Sequence, residues 1–287
     1  MSSLRGKLVS DEELAHAVQR IVTLYEHQQQ DLRHPNPMVR EARVPRVLVA
    51  LAGRPGSGKS TIAALLADAV REALSDQPDP MASFRKVDIN DAEREGDVID
   101  CYAGVSSDKG VEVCVMPMDG YHLYRKELLA MPNAQEAVNR RGAEWTFNPS
   151  KLHDDLVAIR TPNERGLYND VFVPSFDHGT GDPQERDIRI RSSAGVIIVE
   201  GNYVLYRGTP EWAAVNDMFD VKLFLACDRD VCTERLCQRH MKAWGINRRE
   251  AMAHACGSDT VNGDLVDKTA SNADIVMHSI NVSESKL

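Results

Sequence analysis

The stretch "LAGRPGSGKS", residues 51–60, decides how this chain is read. It follows an apolar run, Val47-Leu48-Val49-Ala50-Leu51, and leads into Thr61-Ile62-Ala63-Ala64-Leu65-Leu66. A short apolar run ahead of glycines predicts a buried strand, and the pattern after them predicts a helix. Between the two, Gly53-Arg54-Pro55-Gly56-Ser57-Gly58-Lys59-Ser60 fits G-x-x-x-x-G-K-[ST]. Glycines let a backbone wrap until successive N–H groups face inward, toward phosphate oxygens. The N-terminus of the following helix adds the positive end of its dipole. On this reading Gly53, Arg54, Pro55, Gly56, Ser57, Gly58, Lys59, Ser60 and Thr61 hold a nucleoside triphosphate. Lys59 reaches the β and γ phosphates, and the Ser60 hydroxyl ligates Mg²⁺. Lys59 is expected to stand exposed in the empty loop.

The loop alone does not separate a motor, a switch and a kinase. No Asn-Lys-x-Asp follows to read guanine, so ATP is expected rather than GTP. The formal net charge is −9, and general nucleic-acid binding needs clustered Lys and Arg, so no nucleic-acid partner is expected. A kinase acting on a small molecule needs a base for an acceptor hydroxyl, arginines for the transferring phosphoryl group and a polar pocket beside the loop.

Candidates for each are present. The apolar run Val111 to Met116 leads to Met118-Asp119-Gly120-Tyr121-His122. Residues just past a strand's carboxyl end line the ligand crevice of a parallel sheet, which puts Asp119 toward the γ-phosphate. A turn Asp before Gly is the plain alternative. Ile197-Ile198-Val199-Glu200-Gly201-Asn202 repeats the geometry, and Glu200 could hold Mg²⁺ directly or through water. Arg235, Arg239 and His240 share a helix, with Arg248 and Arg249 shortly after. These five groups suggest a lid over phosphates at about 235–250, against a solvated basic face.

Ser10-Asp11-Glu12-Glu13 reads as a capping box opening a helix over about 11–30. Further strands are expected at 46–52, 111–116, 171–173, 195–199, 221–226 and 273–280. Helices are expected at 59–74, 124–131, after Asn148-Pro149, and at 212–218, 230–244 and 248–255. This alternation implies a three-layer α/β/α fold on a mostly parallel central sheet. The organisation expected is an N-terminal helix and connector at 1–45, one domain at 46–280 and a flexible tail at 281–287. Residues 76–110 are polar and acidic and read as an insertion or long surface loop. The six cysteines form no CxxC pair and are read as reduced thiols. No stretch has signal-peptide character or the length to span a bilayer, so no membrane is expected. The chain ends Ser285-Lys286-Leu287, the peroxisomal import tripeptide. An import receptor and a peroxisome or glycosome are therefore expected, with the cytoplasm as the fallback. A homodimer is left open.

Together these residues resemble the P-loop kinases that include uridine kinase, phosphoribulokinase and bacterial-type pantothenate kinase. The resemblance runs from about Arg46 to Asp274. It rests on Gly53 to Thr61, Met118 to His122, Arg140-Arg141-Gly142-Ala143-Glu144-Trp145-Thr146-Phe147-Asn148, Pro174-Ser175-Phe176-Asp177-His178, Val199-Glu200-Gly201-Asn202-Tyr203 and Arg235-Leu236-Cys237-Gln238-Arg239-His240. The Met-Asp-Gly-Tyr and Ser-Phe-Asp-His stretches look closer to pantothenate kinase, and the whole pattern looks like a uridine-kinase-like branch. The resemblance implies Asp119 as general base and Arg235 and Arg239 in an Arg-rich lid. It also implies Tyr121, His122, Arg141 and His178 as acceptor contacts. The expected activity is ATP-dependent phosphorylation of a hydroxyl on a small, nucleoside- or pantothenate-like metabolite. The alternatives are an ATP-binding regulator or ATPase of the same fold, and a nucleic-acid-stimulated ATPase.

Overall fold

The computed structural model describes residues 8–32, 45–75, 99–100, 111–177 and 179–280. The elements in chain order are α1 (Asp11–Asp31), β1 (Val47–Ala52), α2 (Lys59–Ala73), β2 (Ile99–Asp100), β3 (Glu112–Pro117), α3 (Arg125–Ala130), α4 (Ala134–Asn139) and α5 (Pro149–Arg160). There follow β4 (Val171–Asp177), β5 (Asp182–Ile190), β6 (Ala194–Glu200), α6 (Pro210–Asp217), β7 (Val221–Ala226), α7 (Arg229–Trp244), α8 (Arg248–His254), α9 (Thr260–Asp267) and β8 (Ile275–His278).

The main sheet has the order β3-β6-β1-β7-β8, and every pairing in it is parallel. Strand β1 is buried at every position. Alternate residues serve opposite faces, as a two-residue repeat requires. Leu48, Ala50 and Ala52 pack with Leu152 and Leu156 of α5 and Trp212 of α6. Val47, Val49 and Leu51 pack with Ile21 and Tyr25 of α1 and with Ile62 and Leu66 of α2. The fold is thus a three-layer α/β/α P-loop domain with helices on both faces of the sheet.

Helix ends follow their local chemistry. The Ser10 side chain accepts from the Glu13 N–H at the start of α1. Asn148 accepts from the Lys151 N–H, with Pro149 in the first turn of α5. Both satisfy amide groups that a helix start leaves open.

The structure adds what the sequence reading lacked. Strand β5, DPQERDIRI, pairs antiparallel with β4 and parallel with β2 in a second, three-stranded sheet. Its polar residues hid it, since only Pro183, Ile188 and Ile190 are buried. The short helix α4 and the last helix α9 were also unread. A kinked turn at Ala255–Asp259, with Gly257 outside helical angles, separates α9 from α8. Cys227, Cys232, Cys237 and Cys256 are free. Cys114 is disulfide-bonded, which corrects the expectation of six reduced thiols; the absence of a CxxC spacing had left no sign of a bond. Among the described residues no helix is long and apolar enough to cross a membrane. His178, the tail 281–287 and nearly all of 76–110 lie outside the described residues.

The chain leaves β3 through a tight turn, Met118–Tyr121, that crosses β4. A Cβ on Gly120 would stand 2.1 Å from the Pro174 carbonyl oxygen. Only glycine fits there without parting the two sheets. Gly120→Ala should lower stability by about 1–3 kcal/mol or more, the scale of overpacking. The check is a urea midpoint that falls at constant slope. An unchanged midpoint would show that β4 yields freely.

Candidate active site

The carboxyl ends of β1, β3 and β6 meet at one edge of the sheet. Leu51 and Pro117 both pair with Glu200, and the Gly201 N–H donates to the Leu51 carbonyl. A Cβ on Gly201 would lie 2.3 Å from that of Met118. This close approach brings Asp119, Glu200 and the glycine loop to one cavity of about 300 Å³. The loop turns through Gly56 (φ 81°) and Gly58 (φ 96°), in the left-handed region that glycine tolerates. A Cβ on Gly56 would meet the Cys232 carbonyl at 2.6 Å.

Lys59 lines this cavity yet is only 9% exposed, contrary to the expectation of an exposed lysine. The side chain folds back over the loop. Its Nζ donates to the Arg54 carbonyl at 3.2 Å and to Asn202 Oδ1 at 2.9 Å. Burial pulls its pKa down, while Glu200 and Asp119 oppose the shift. Asn202, two residues after Glu200, holds Lys59 in place. The Ser60 hydroxyl donates to Glu200 Oε1 at 2.9 Å. Burial raises the Glu200 pKa against the pull of Lys59. The Asp119 carboxylate makes no hydrogen bond or ion pair among the described residues, unlike a turn-capping Asp.

These features fit the nucleotide and Mg²⁺ that the loop implies. The glycine cradle is one that side chains would fill. The Ser60 and Glu200 oxygens are donors of the kind a hard divalent cation takes.

Other loop residues work differently from expectation. The Arg54 guanidinium is buried and bonds Asp267 at 2.8 Å and Asp264 at 3.2 Å, both on α9. It fastens α9 to the loop and does not face the cavity. Gly53 packs on the Leu225 carbonyl, and Ser57 is fully buried. Arg235 edges the cavity, but its guanidinium donates to the Ser57 carbonyl at 3.2 Å, Ser279 Oγ at 3.2 Å and the Ile280 carbonyl at 3.3 Å. It braces the loop. Arg239, one turn further along α7, is exposed and makes no hydrogen bond or ion pair among the described residues.

Arg239 also lines a neighbouring cavity of about 780 Å³, between α7 and the β4–β5 turn. Of the four expected acceptor contacts, Arg141 is there, donating to the Leu123 carbonyl at 3.0 Å and to Asp182 at 3.1 Å. Tyr121 is not. It is 1% exposed, donates to Asp155 Oδ2 at 2.8 Å, and burial drives its pKa well above the usual phenol range. Tyr121 is a core residue because the turn after β3 points it into the layer under α5. His122 supports rather than lines the cavity. Its ring lies 3.9 Å from Phe147 and 4.7 Å from Phe176, with Nδ1 2.8 Å from the Asp119 carbonyl. Arg248 and Arg249 reach neither cavity; Arg248 pairs with Glu234 at 2.6 Å on the surface. The lid contribution of this stretch therefore reduces to Arg239 and His240. Arg125 and Trp244, which line the second cavity, had no motif to mark them.

The model of the phosphoribulokinase / uridine kinase family matches residues 159–285. A Schizosaccharomyces pombe protein named "Putative uridine kinase C227.14" is 32% identical over 243 residues, 84% of this chain and 86% of that protein. An Aspergillus versicolor protein named "ATP-dependent kinase-like protein notR'" is 36% identical over 154 residues, 53% of this chain and 87% of that one. Among solved structures, YFH7 from Saccharomyces cerevisiae shares the fold, with a TM-score of 0.63 over 94% of this chain and 99% of that one at 21% identity.

Lys59→Ala removes the buried ammonium and its two hydrogen bonds. ATP affinity should fall about 10- to 100-fold, the cost of losing a hydrogen bond to a charged group. Calorimetric titration with ATP checks this, and an unchanged affinity would remove Lys59 from the phosphate site.

Proposed function

The chain belongs to the phosphoribulokinase / uridine kinase family, and from that premise we propose that it transfers the γ-phosphoryl group of ATP to a hydroxyl of a small metabolite. The observation that carries this reading is one cavity holding Lys59, the Ser60–Glu200 pair and an uncommitted Asp119, joined through Arg239 to a second cavity large enough for an acceptor.

The loop backbone and Lys59 hold the phosphates. Ser60 and Glu200 would hold Mg²⁺, which supplies charge neutralisation when bound. Asp119 takes the proton of the acceptor hydroxyl as that oxygen bonds to the γ-phosphorus and the bond to ADP breaks. Arg239 offsets the negative charge on the transferring group. Positioning and electrostatics of this kind are the main sources of phosphoryl-transfer catalysis. Asp119 suits the base role because nothing among the described residues occupies its carboxylate.

Asp119→Asn keeps the size of the side chain and cannot take a proton. Transfer should fall by roughly 10²- to 10⁴-fold, the usual scale for loss of a general base. ATP affinity should change far less, since the loop and Lys59 bear the phosphates. The measurement is acceptor-dependent ADP release at saturating ATP and acceptor, repeated at several Mg²⁺ concentrations. Turnover within about threefold of the parent would remove Asp119 as base, since that role demands at least the lower end of the range. Rescue by excess Mg²⁺ would reassign it as a metal ligand. ADP release that no hydroxyl compound accelerates would favour an ATPase or regulator.

A further inference from the structure

We infer that the acceptor is an anionic hydroxyl compound, whose carboxylate or phosphate group is gripped by Arg125 and Arg141 in the larger cavity while its hydroxyl reaches past Arg239 toward Asp119. The inference rests on the kinase reading above and narrows its substrate class.

The cavity's charge is one-sided. Arg125, Arg141 and Arg239 line it, and among the described residues no Asp or Glu does. That is unusual in a chain with net charge −9. A neutral acceptor would have no use for it, because like charges crowded into one cavity repel each other unless an anion joins them.

Arg125 and Arg141 converge at one point. A Cβ placed on Gly181 would lie 3.4 Å from Arg125 Nη1 and 3.6 Å from Arg141 Nη1. Gly181 has φ 72°, in the left-handed region. Glycine there serves the turn and also leaves open the space between the two forks. The Arg141 guanidinium titrates below its ordinary range, through burial first and the nearness of Arg125 as well, against the pull of Asp182. Asp182 accepts from the Arg141 guanidinium and from the Arg125 backbone N–H, and the Arg125 guanidinium donates to the Thr180 carbonyl. Paired arginine forks converging on one wall of a cavity match the planar or trigonal oxygens of a carboxylate or phosphate.

The rest of the wall sets the body of the ligand. Phe176 stands on one side, with the Arg141 guanidinium 5.5 Å above its ring. Trp244 lies on the other, 54% exposed and stacked on His240 at 4.2 Å. A cavity of about 780 Å³ with these walls has room for more than the anionic group and the hydroxyl-bearing carbon.

The test presents hydroxyl compounds as matched pairs: hydroxy acids with their amides, sugar phosphates with the free sugars, nucleoside monophosphates with the nucleosides. Acceptor-dependent ADP release is measured for the parent protein and for the Arg125→Gln/Arg141→Gln double variant. The expected result is acceleration by anionic members only. In the variant, KM for that acceptor should rise about 10- to 100-fold, the cost of charge-assisted hydrogen bonds, with KM for ATP unchanged. The acid and phosphate arms distinguish the two anions. Acceleration by the neutral members, indifferent to the double variant, would overturn the anion inference and leave the kinase reading standing. If no member accelerates ADP release, the kinase reading fails, and binding of the same compounds decides the anion site. Quenching of Trp244 fluorescence by the anionic members, absent in the double variant and in Trp244→Phe, would uphold that site. No quenching would overturn it too.

Discussion

A buried ammonium organises the reacting end of this molecule. Lys59 is almost out of solvent, and a cation there is tolerated only where its surroundings supply acceptors and negative charge. The Arg54 carbonyl and the Asn202 side chain supply the acceptors. Glu200 and Asp119 supply the charge. These partners come from the loop after β1, the end of β6 and the turn after β3. The lysine is therefore satisfied only if three strands end in register. The same register places Ser60 against Glu200 and leaves Asp119 facing the cavity. Order in the sheet and chemistry at its edge are one requirement.

Arginines, more than acidic residues, fix the surrounding frame. Arg46, 4% exposed, donates to the carbonyls of Ile159, Ala194, Arg191 and Ser192. It closes the end of the sheet opposite the site, and Tyr168 covers its guanidinium at 3.8 Å. Arg54 fastens α9 to the glycine loop, and Arg235 fastens the loop to the chain after β8. Each uses several donors of one fork at once, which a lysine cannot do. Arg54 acts on the loop from outside the phosphate cavity and Arg235 from its edge, so a rigid cradle precedes any nucleotide.

The main sheet and the glycine loop were legible because their signals are local. Apolar runs bounded by glycine or proline mark β1, β3 and β6, an apolar run between aspartates marks β7, and the lysine-serine end of the loop marks the start of α2. Strand β5 was hidden because three consecutive positions, Gln184 to Arg186, face solvent, so it lacks the apolar run that marks the other strands. Tyr121 shows the limit at the site itself. Its neighbour Asp119 faces the cavity, and a tight turn sends the next-but-one side chain into the core, where Asp155 waits on α5. Motif adjacency carries no information about that direction. Arg125 and Trp244 enter the second cavity from separate elements, and only the packing of α7 against the β4–β5 turn brings them together.

The arginines make the same point in sharper form. As letters, Arg54, Arg235, Arg239 and Arg248 are equivalent, and all sit near phosphate-binding motifs. What separates them is where their donors are already committed. The Arg54 fork is engaged by two carboxylates, Arg235 by carbonyls and a hydroxyl, and Arg248 by Glu234. An engaged donor can contribute to a new ligand only by giving up an existing partner, which cancels most of the gain. Arg239 has no such partner to lose among the described residues. Charge that remains uncommitted in the folded protein is charge available for binding. By that criterion Arg239, which lines both cavities, is the arginine left for a phosphoryl group that would pass from one to the other.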